Sequence, residues 1–113
     1  MSKERRLERR VPIEMWVEEE RGEDCYYQRS TNLSVGGIYL DGTIPHPKGT
    51  FVRIKFTLPG EQEPLAFQGE IVGQPDASRL GMHVRFVDLD TNPGAARLRE
   101  FLSRAGGQDG DQD

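Results

Sequence analysis

The sequence predicts an all-β fold: a six-stranded antiparallel β-barrel with a C-terminal α-helix and a flexible basic N-terminal arm. Three observations carry this expectation. From Val11 to Phe86 about six segments alternate apolar with polar residues, and Gly-, Pro-, Asn- and Asp-containing turns separate them. Short strands at this spacing suggest an antiparallel barrel. Helical periodicity is convincing only after Asn92, and positive charge is concentrated in the first ten residues.

Residues 1–10 are the arm, expected to be mobile without a ligand. It holds Lys3, Arg5, Arg6, Arg9 and Arg10 against Glu4 and Glu8, a local charge of +3 in a chain of net charge −4. The remaining residues therefore carry −7. A basic arm on an acidic body suits a compact anionic ligand better than a long polyanion. Residues 11–105 are expected to form the barrel and its helix. Pro12 discourages helix at Val11. Ile13, Met15 and Val17 alternate with Glu14, Trp16 and Glu18, which gives a first strand with one apolar face. The stretch from Arg21 to Asp24 reads as its turn, and Cys25 to Leu33 as the second strand. Ile38 to Leu40 begins a third, ended by Asp41-Gly42; Thr43 to Gly49, with Pro45, His46 and Pro47, is a loop.

In the fourth strand Val52, Ile54, Phe56 and Leu58 point one way and Phe51, Arg53, Lys55 and Thr57 the other. Pro59-Gly60 turns the chain. Leu65, Phe67 and Ile71 mark one face of the fifth strand, and Gly69 between them reads as a bend or bulge. A turn is expected from Gln74 to Ser78, then a last strand of Leu80, Met82, Val84 and Phe86. Asp88 and Asp90 read as turn and capping residues. Asn92 suits the N-cap and Pro93 the first helical position. Ala95, Leu98, Phe101 and Leu102 share one helix face, which would pack on the barrel or on a second subunit. Gly106 and Gly107 should end the helix. Residues 106–113 are an acidic, glycine-containing tail expected to be disordered.

Between the second and third strands lies Thr31-Asn32-Leu33-Ser34-Val35-Gly36-Gly37-Ile38. Asn and Ser side chains bind nearby backbone and stabilise turns. Gly36 and Gly37 can take positive φ and admit a close neighbour. By itself this stretch is a hairpin turn. Read with Arg5-Arg6-Leu7-Glu8-Arg9-Arg10 before the first strand, it resembles the PilZ domain family, whose pattern is R-x-x-x-R followed by D/N-x-S-x-x-G. Arg6 and Arg10 match the first half, with Arg10 abutting Val11; Asn32, Ser34 and Gly37 match the second. The resemblance spans roughly residues 4 to 104.

The resemblance implies a small barrel that binds the bacterial second messenger cyclic di-GMP (c-di-GMP). Arg6 and Arg10 would clamp the nucleotide, with Arg5 as a helper; Arg5 and Arg9 are also four apart. Asn32 and Ser34 would supply amide and hydroxyl contacts on the barrel side, with Gly36 and Gly37 admitting the ligand. The chemistry is suitable. An arginine fork matches O6 and N7 of guanine, a pairing worth ~1–3 kcal/mol of discrimination in DNA. Arginine also stacks on bases and pairs with phosphate. A chain with no attached output domain would relay the signal through an unidentified downstream protein. The alternative is a PilZ-like protein-interaction scaffold that does not bind nucleotide.

Other classes find little support. Cys25 follows Glu23 and Asp24, whose charge disfavours a thiolate nucleophile. His46, His83 and Cys25 lack metal-ligand spacing, and no phosphate-binding glycine loop is present. An enzyme, a metal site and a cofactor are therefore not expected. Single-stranded nucleic acid would want basic residues interleaved with aromatics, of which Phe51, Arg53 and Lys55 are a faint version. Trp16, Tyr26, Tyr27 and Tyr39 read as strand packing. No apolar run reaches the ~20 residues a membrane span needs, and the charged N-terminus lacks a secretory pattern. One cysteine forms no internal disulfide. A cytoplasmic monomer or weak dimer is expected.

Overall fold

The computed structural model describes residues 10–73 and 80–110, with side chains as far as residue 105. Among the described residues six strands, β1 (Val11–Arg21), β2 (Asp24–Leu33), β3 (Gly37–Asp41), β4 (Phe51–Phe56), β5 (Leu65–Gly73) and β6 (Gly81–Phe86), precede one helix, α1 (Gly94–Gly110). The strands are antiparallel neighbours in the order β1-β2-β3-β6-β5-β4, and β4 pairs back onto β1 to close the barrel. Closure gives each strand a neighbour on both sides. The expected barrel and helix are both present. The turn expected from Gln74 to Ser78 lies outside the described residues.

Alternation decides which side chains fill the interior. Val52, Ile54 and Phe56 of β4, Leu65, Phe67 and Ile71 of β5, and Met82, Val84 and Phe86 of β6 are buried. Leu58, past the end of β4, is buried too. Phe67 stacks on Phe86 with centroids 4.7 Å apart, which adds to the area each ring buries. Asn92 caps α1 as expected: its Oδ1 accepts from the Gly94 N–H at 2.8 Å, and its Nδ2 donates to the Ala66 carbonyl. Ala95, Leu98 and Leu102 are buried with the barrel core, so the helix face serves the barrel. Asp88 takes the turn role expected of it rather than a capping one: its backbone carbonyl accepts from the Thr91 N–H, and its carboxylate accepts from Asn92 Nδ2.

Four local expectations are corrected. Leu80 precedes β6 and is 56% exposed, because the inward phase begins at Met82. Gly69 is neither bend nor bulge: it pairs in register with Val52 and Phe86, and a Cβ there would stand 2.4 Å from Val84 Cγ1. The register of β5 shifts instead between Ile71 and Gly73, and Val72 is left exposed. Helix α1 continues through Gly106 and Gly107 to Gly110; glycine permits a helix end but does not enforce one. Trp16 and Tyr27 do not pack in the sheet, being 70% and 71% exposed on the outer face.

Polar residues also occupy inward positions, Ser30 of β2 and the charged Glu19 of β1. Glu19 follows Val17 on the interior face of β1 and is fully buried. Its Oε1 accepts from Gln28 Nε2 at 2.9 Å, and its Oε2 lies 2.8 Å from His46 Nε2. A buried carboxylate requires partners of this kind. His46 thereby ties the loop between β3 and β4 to the barrel, and Tyr26 and Arg21 enclose the imidazole.

Candidate functional site

The connection between β2 and β3 is built by Ser34. Its N–H donates to the Gly37 carbonyl at 2.9 Å, and its Oγ accepts from the Gly37 N–H at 3.1 Å. A hydroxyl that binds its own backbone three residues on closes a tight turn. Ser34 is buried, so the hydroxyl is committed to this turn. Gly36 and Gly37 do not take the positive φ expected of them. Glycine at 37 is explained by proximity: a Cβ there would lie 2.2 Å from the Val84 carbonyl oxygen. The Gly36 carbonyl accepts from the Phe86 N–H at 2.8 Å. The turn is therefore bound to β6 along its length.

A cavity of about 120 Å³ opens beside this turn, walled by Arg10, Ser34, Gly36, Gly37, His83 and Arg85. The structure thus gathers four of the seven sequence-predicted site residues. Asn32 does not line the cavity; it pairs with Pro12 of β1 and Tyr39 of β3. Arg5 and Arg6 lie outside the described residues. Arg10 is described, and its Nη1 stands 3.3 Å from His83 Nδ1.

His83 and Arg85 are the residues sequence reasoning missed. The alternation of β6 puts both on its outer face. Only the register of β3 with β6, Gly37 opposite Arg85 and Tyr39 opposite His83, brings them beside the turn. Arg85 is paired with Glu70 of β5. The His83 ring leans on Tyr39 with centroids 4.8 Å apart. Partial burial, and then the Arg10 guanidinium, hold His83 below its ordinary pKa. A guanidinium has no acceptor, so the Arg10 contact requires a bare Nδ1 and places the proton of the neutral ring on Nε2. The site is cationic and rich in hydrogen-bond donors, which is the chemistry of anion and base-edge recognition.

Elsewhere Glu18, Glu20 and Cys25 bring their ligand atoms within 4.8 Å of one another on the barrel surface. The Cys25 thiol is raised above its ordinary value, by local loss of solvent and then by the Glu18 and Glu20 carboxylates. The carboxylates across the strand pair act here, where the sequence suggests Glu23 and Asp24. A raised thiol is a poor nucleophile near neutral pH. No described helix is long and apolar enough to cross a membrane.

Comparison with known proteins gives the same assignment from two directions. The family model for the PilZ domain matches residues 4–104. No curated protein matches the chain. Among solved structures, the inhibitor of motility MotI/DgrA of Bacillus subtilis is similar with a TM-score of 0.68 and 18% identity, over 84% of this chain and 48% of that one. This chain thus spans about half of that protein, and the likeness is one of fold. The PilZ domain of CeSA from a cellulose-synthesizing bacterium is similar with a TM-score of 0.61 and 26% identity, over 82% of this chain and 96% of that one. The chain belongs to the PilZ domain family, a family of cyclic di-GMP receptor domains that are generally non-catalytic.

Proposed function

We propose that this chain is a non-catalytic receptor for cyclic di-GMP that relays the signal to a partner protein. One observation supports the reading above the others: Arg10, the second arginine of the arm motif, stands over the same cavity as the Ser34–Gly37 turn. Two stretches more than twenty residues apart in sequence meet at one place, and that place is positively charged. Arg6 and Arg10 clamp the nucleotide, with Arg5 assisting. Gly36 and Gly37 present the cavity wall and Ser34 holds its shape, while Asn32, outside that lining, supplies an amide contact to the part of the nucleotide that the cavity does not seat.

The size of the cavity leaves part of the ligand to be held by further residues. Sites for small molecules usually enclose ~300–1,000 Å³, and the cavity is about 120 Å³. It seats only part of a cyclic dinucleotide, and the contacts of Arg6, Arg5 and Asn32 proposed above account for the remainder. Arg10 is already held beside the cavity by its contact with His83.

Calorimetric titration of cyclic di-GMP into the chain, with Arg10→Ala and Asn32→Ala alongside, tests the reading. Saturable binding that weakens at least several-fold in both variants supports it. The stoichiometry distinguishes one nucleotide from a stacked pair. A wild-type chain that gives neither heat nor thermal stabilisation at high ligand concentration refutes it. A protein-interaction scaffold then takes its place, a reading favoured by the purely structural work that Ser34 and Gly37 do in the turn.

A further inference from the structure

Resting on the receptor reading, we propose that His83 is a ligand-linked residue of the cavity, and that binding of the anionic nucleotide at Arg10 is accompanied by proton uptake on the His83 imidazole. The geometry shows how. In the free barrel Nδ1 accepts from the Arg10 guanidinium at 3.3 Å. Protonation of Nδ1 would abolish that hydrogen bond and set two cations against each other. The neutral ring is therefore part of what holds Arg10 in place.

A bound phosphodiester changes both conditions. The guanidinium turns to the phosphate, which takes two of its N–H groups at once. Nδ1 loses its donor and gains an anion across the cavity, so the imidazolium is now the favoured form. The proton comes from solvent and the balance is simple: neutral His83, one proton and the ligand give imidazolium and ligand together. The other groups around the ring support this assignment. Tyr39 of β3 donates its hydroxyl to the Leu80 carbonyl at 3.4 Å. Arg85 of β6 is held by Glu70 of β5. Partial burial lowers His83 first, and among the described residues Arg10 is the charge that lowers it further.

The sign follows by linkage. A group that titrates low in the free barrel and higher in the complex takes up protons on binding. Affinity is then lowest well above the bound-state value, rises as pH falls through it, and levels off below the free-state value. Each unit between the two values is tenfold in affinity. Phosphodiesters and guanine do not titrate across the range of about pH 5.5 to 7.5, so a proton taken up there belongs to the protein.

Two measurements test this. The first is titration calorimetry of cyclic di-GMP near pH 6 in buffers of different ionisation enthalpy, on wild type and His83→Asn. The asparagine amide oxygen falls near the place of Nδ1 and gives Arg10 a neutral acceptor that does not titrate. Wild-type heats that vary with the buffer in the sense of proton uptake, with no such variation in His83→Asn, support the inference. Equal uptake in both, or none in wild type, overturns it and leaves the receptor reading intact. The second is an NMR pH titration of the histidine rings, of which the chain has two. The His83 midpoint must rise when cyclic di-GMP is present, and an unmoved midpoint overturns the inference even if the asparagine variant fails to fold. Complete absence of binding by wild type removes the receptor reading and this inference together.

Discussion

Replacing Gly37 by alanine should destabilise this domain more than an alanine placed in an open turn such as that of Gly60. The perturbation can be worked from distances. A Cβ at 37 would stand 2.2 Å from the Val84 carbonyl oxygen and 3.3 Å from both Arg85 Cα and Val84 C. All three atoms are backbone, so no rotamer change relieves the clash. Reaching an ordinary contact requires β3 and β6 to separate by about 1 Å, and a ladder hydrogen bond stretched that far is lost. Overpacking of this kind costs ~1–3 kcal/mol, and the loss of one or two ladder bonds adds ~1 kcal/mol each. The expected loss is about 3 kcal/mol, which lowers Tm by roughly 12 °C in a domain of this size. Urea denaturation followed by circular dichroism measures it. Gly60→Ala is the proper control. Gly60 has φ +82° and open space around it, so its cost is only the left-handed backbone penalty of ~1–2 kcal/mol. If Gly37→Ala proves no more costly than Gly60→Ala, the close approach of β6 does not explain the glycine.

Glu19→Ala leaves the Gln28 amide and the His46 ring without their buried acceptor, at ~1–3 kcal/mol for each unsatisfied group; a urea midpoint close to wild type would show that the Glu19–His46 contact contributes nothing. Asn92→Ala removes the helix cap and leaves the Ala66 carbonyl without its donor; a loss of ~1–2 kcal/mol is expected, read as a drop in Tm. The raised Cys25 thiol holds little thiolate at neutral pH, so the rate of its alkylation should climb with a midpoint above that of a free thiol, and Glu18→Gln should move that midpoint down. A pH–rate profile with iodoacetamide measures both.

The fold was legible because alternation is local. The buried residues of β4, Val52, Ile54 and Phe56, are the ones the period of two selects, and so are Met82, Val84 and Phe86 of β6. Asn92 and Pro93 marked the helix start in the same local way. What alternation cannot give is which strand lies beside which, and in what register. Gly69 looked like a bulge because a glycine in a strand weakens it; the Val84 side chain that occupies its missing Cβ comes from another strand. Glu19 shows the same limit from the other side. Its inward position was visible in the spacing from Val17, but its partner sits in a proline-flanked loop 27 residues on. His83 and Arg85 could be placed on the outer face of β6, yet only pairing with β3 makes them walls of the site.

The two halves of the family pattern differ in what they say about binding. Ser34 and Gly37 are required by the barrel itself, one to close the turn and the other to let β6 pass. A chain that had stopped binding nucleotide would still need both. Their presence therefore establishes the fold and weighs little on the ligand. Arg10 differs: it is exposed, and its hydrogen bond to His83 lies on the surface. Exposed contacts of this kind contribute little to stability, so the fold gives no reason for an arginine there. Arg10→Ala should leave Tm within about 2 °C of wild type, since surface changes stay within ~0.5 kcal/mol, while removing the guanidinium on which the proposed binding rests. Ser34→Ala should do the reverse in part, lowering stability by ~1–3 kcal/mol through the unsatisfied turn. Thermal melts of the two variants, with and without cyclic di-GMP, separate the roles. If Arg10→Ala destabilised the free barrel as much as Ser34→Ala, the arginine would be structural as well, and the case for a ligand at this turn would lose its strongest residue.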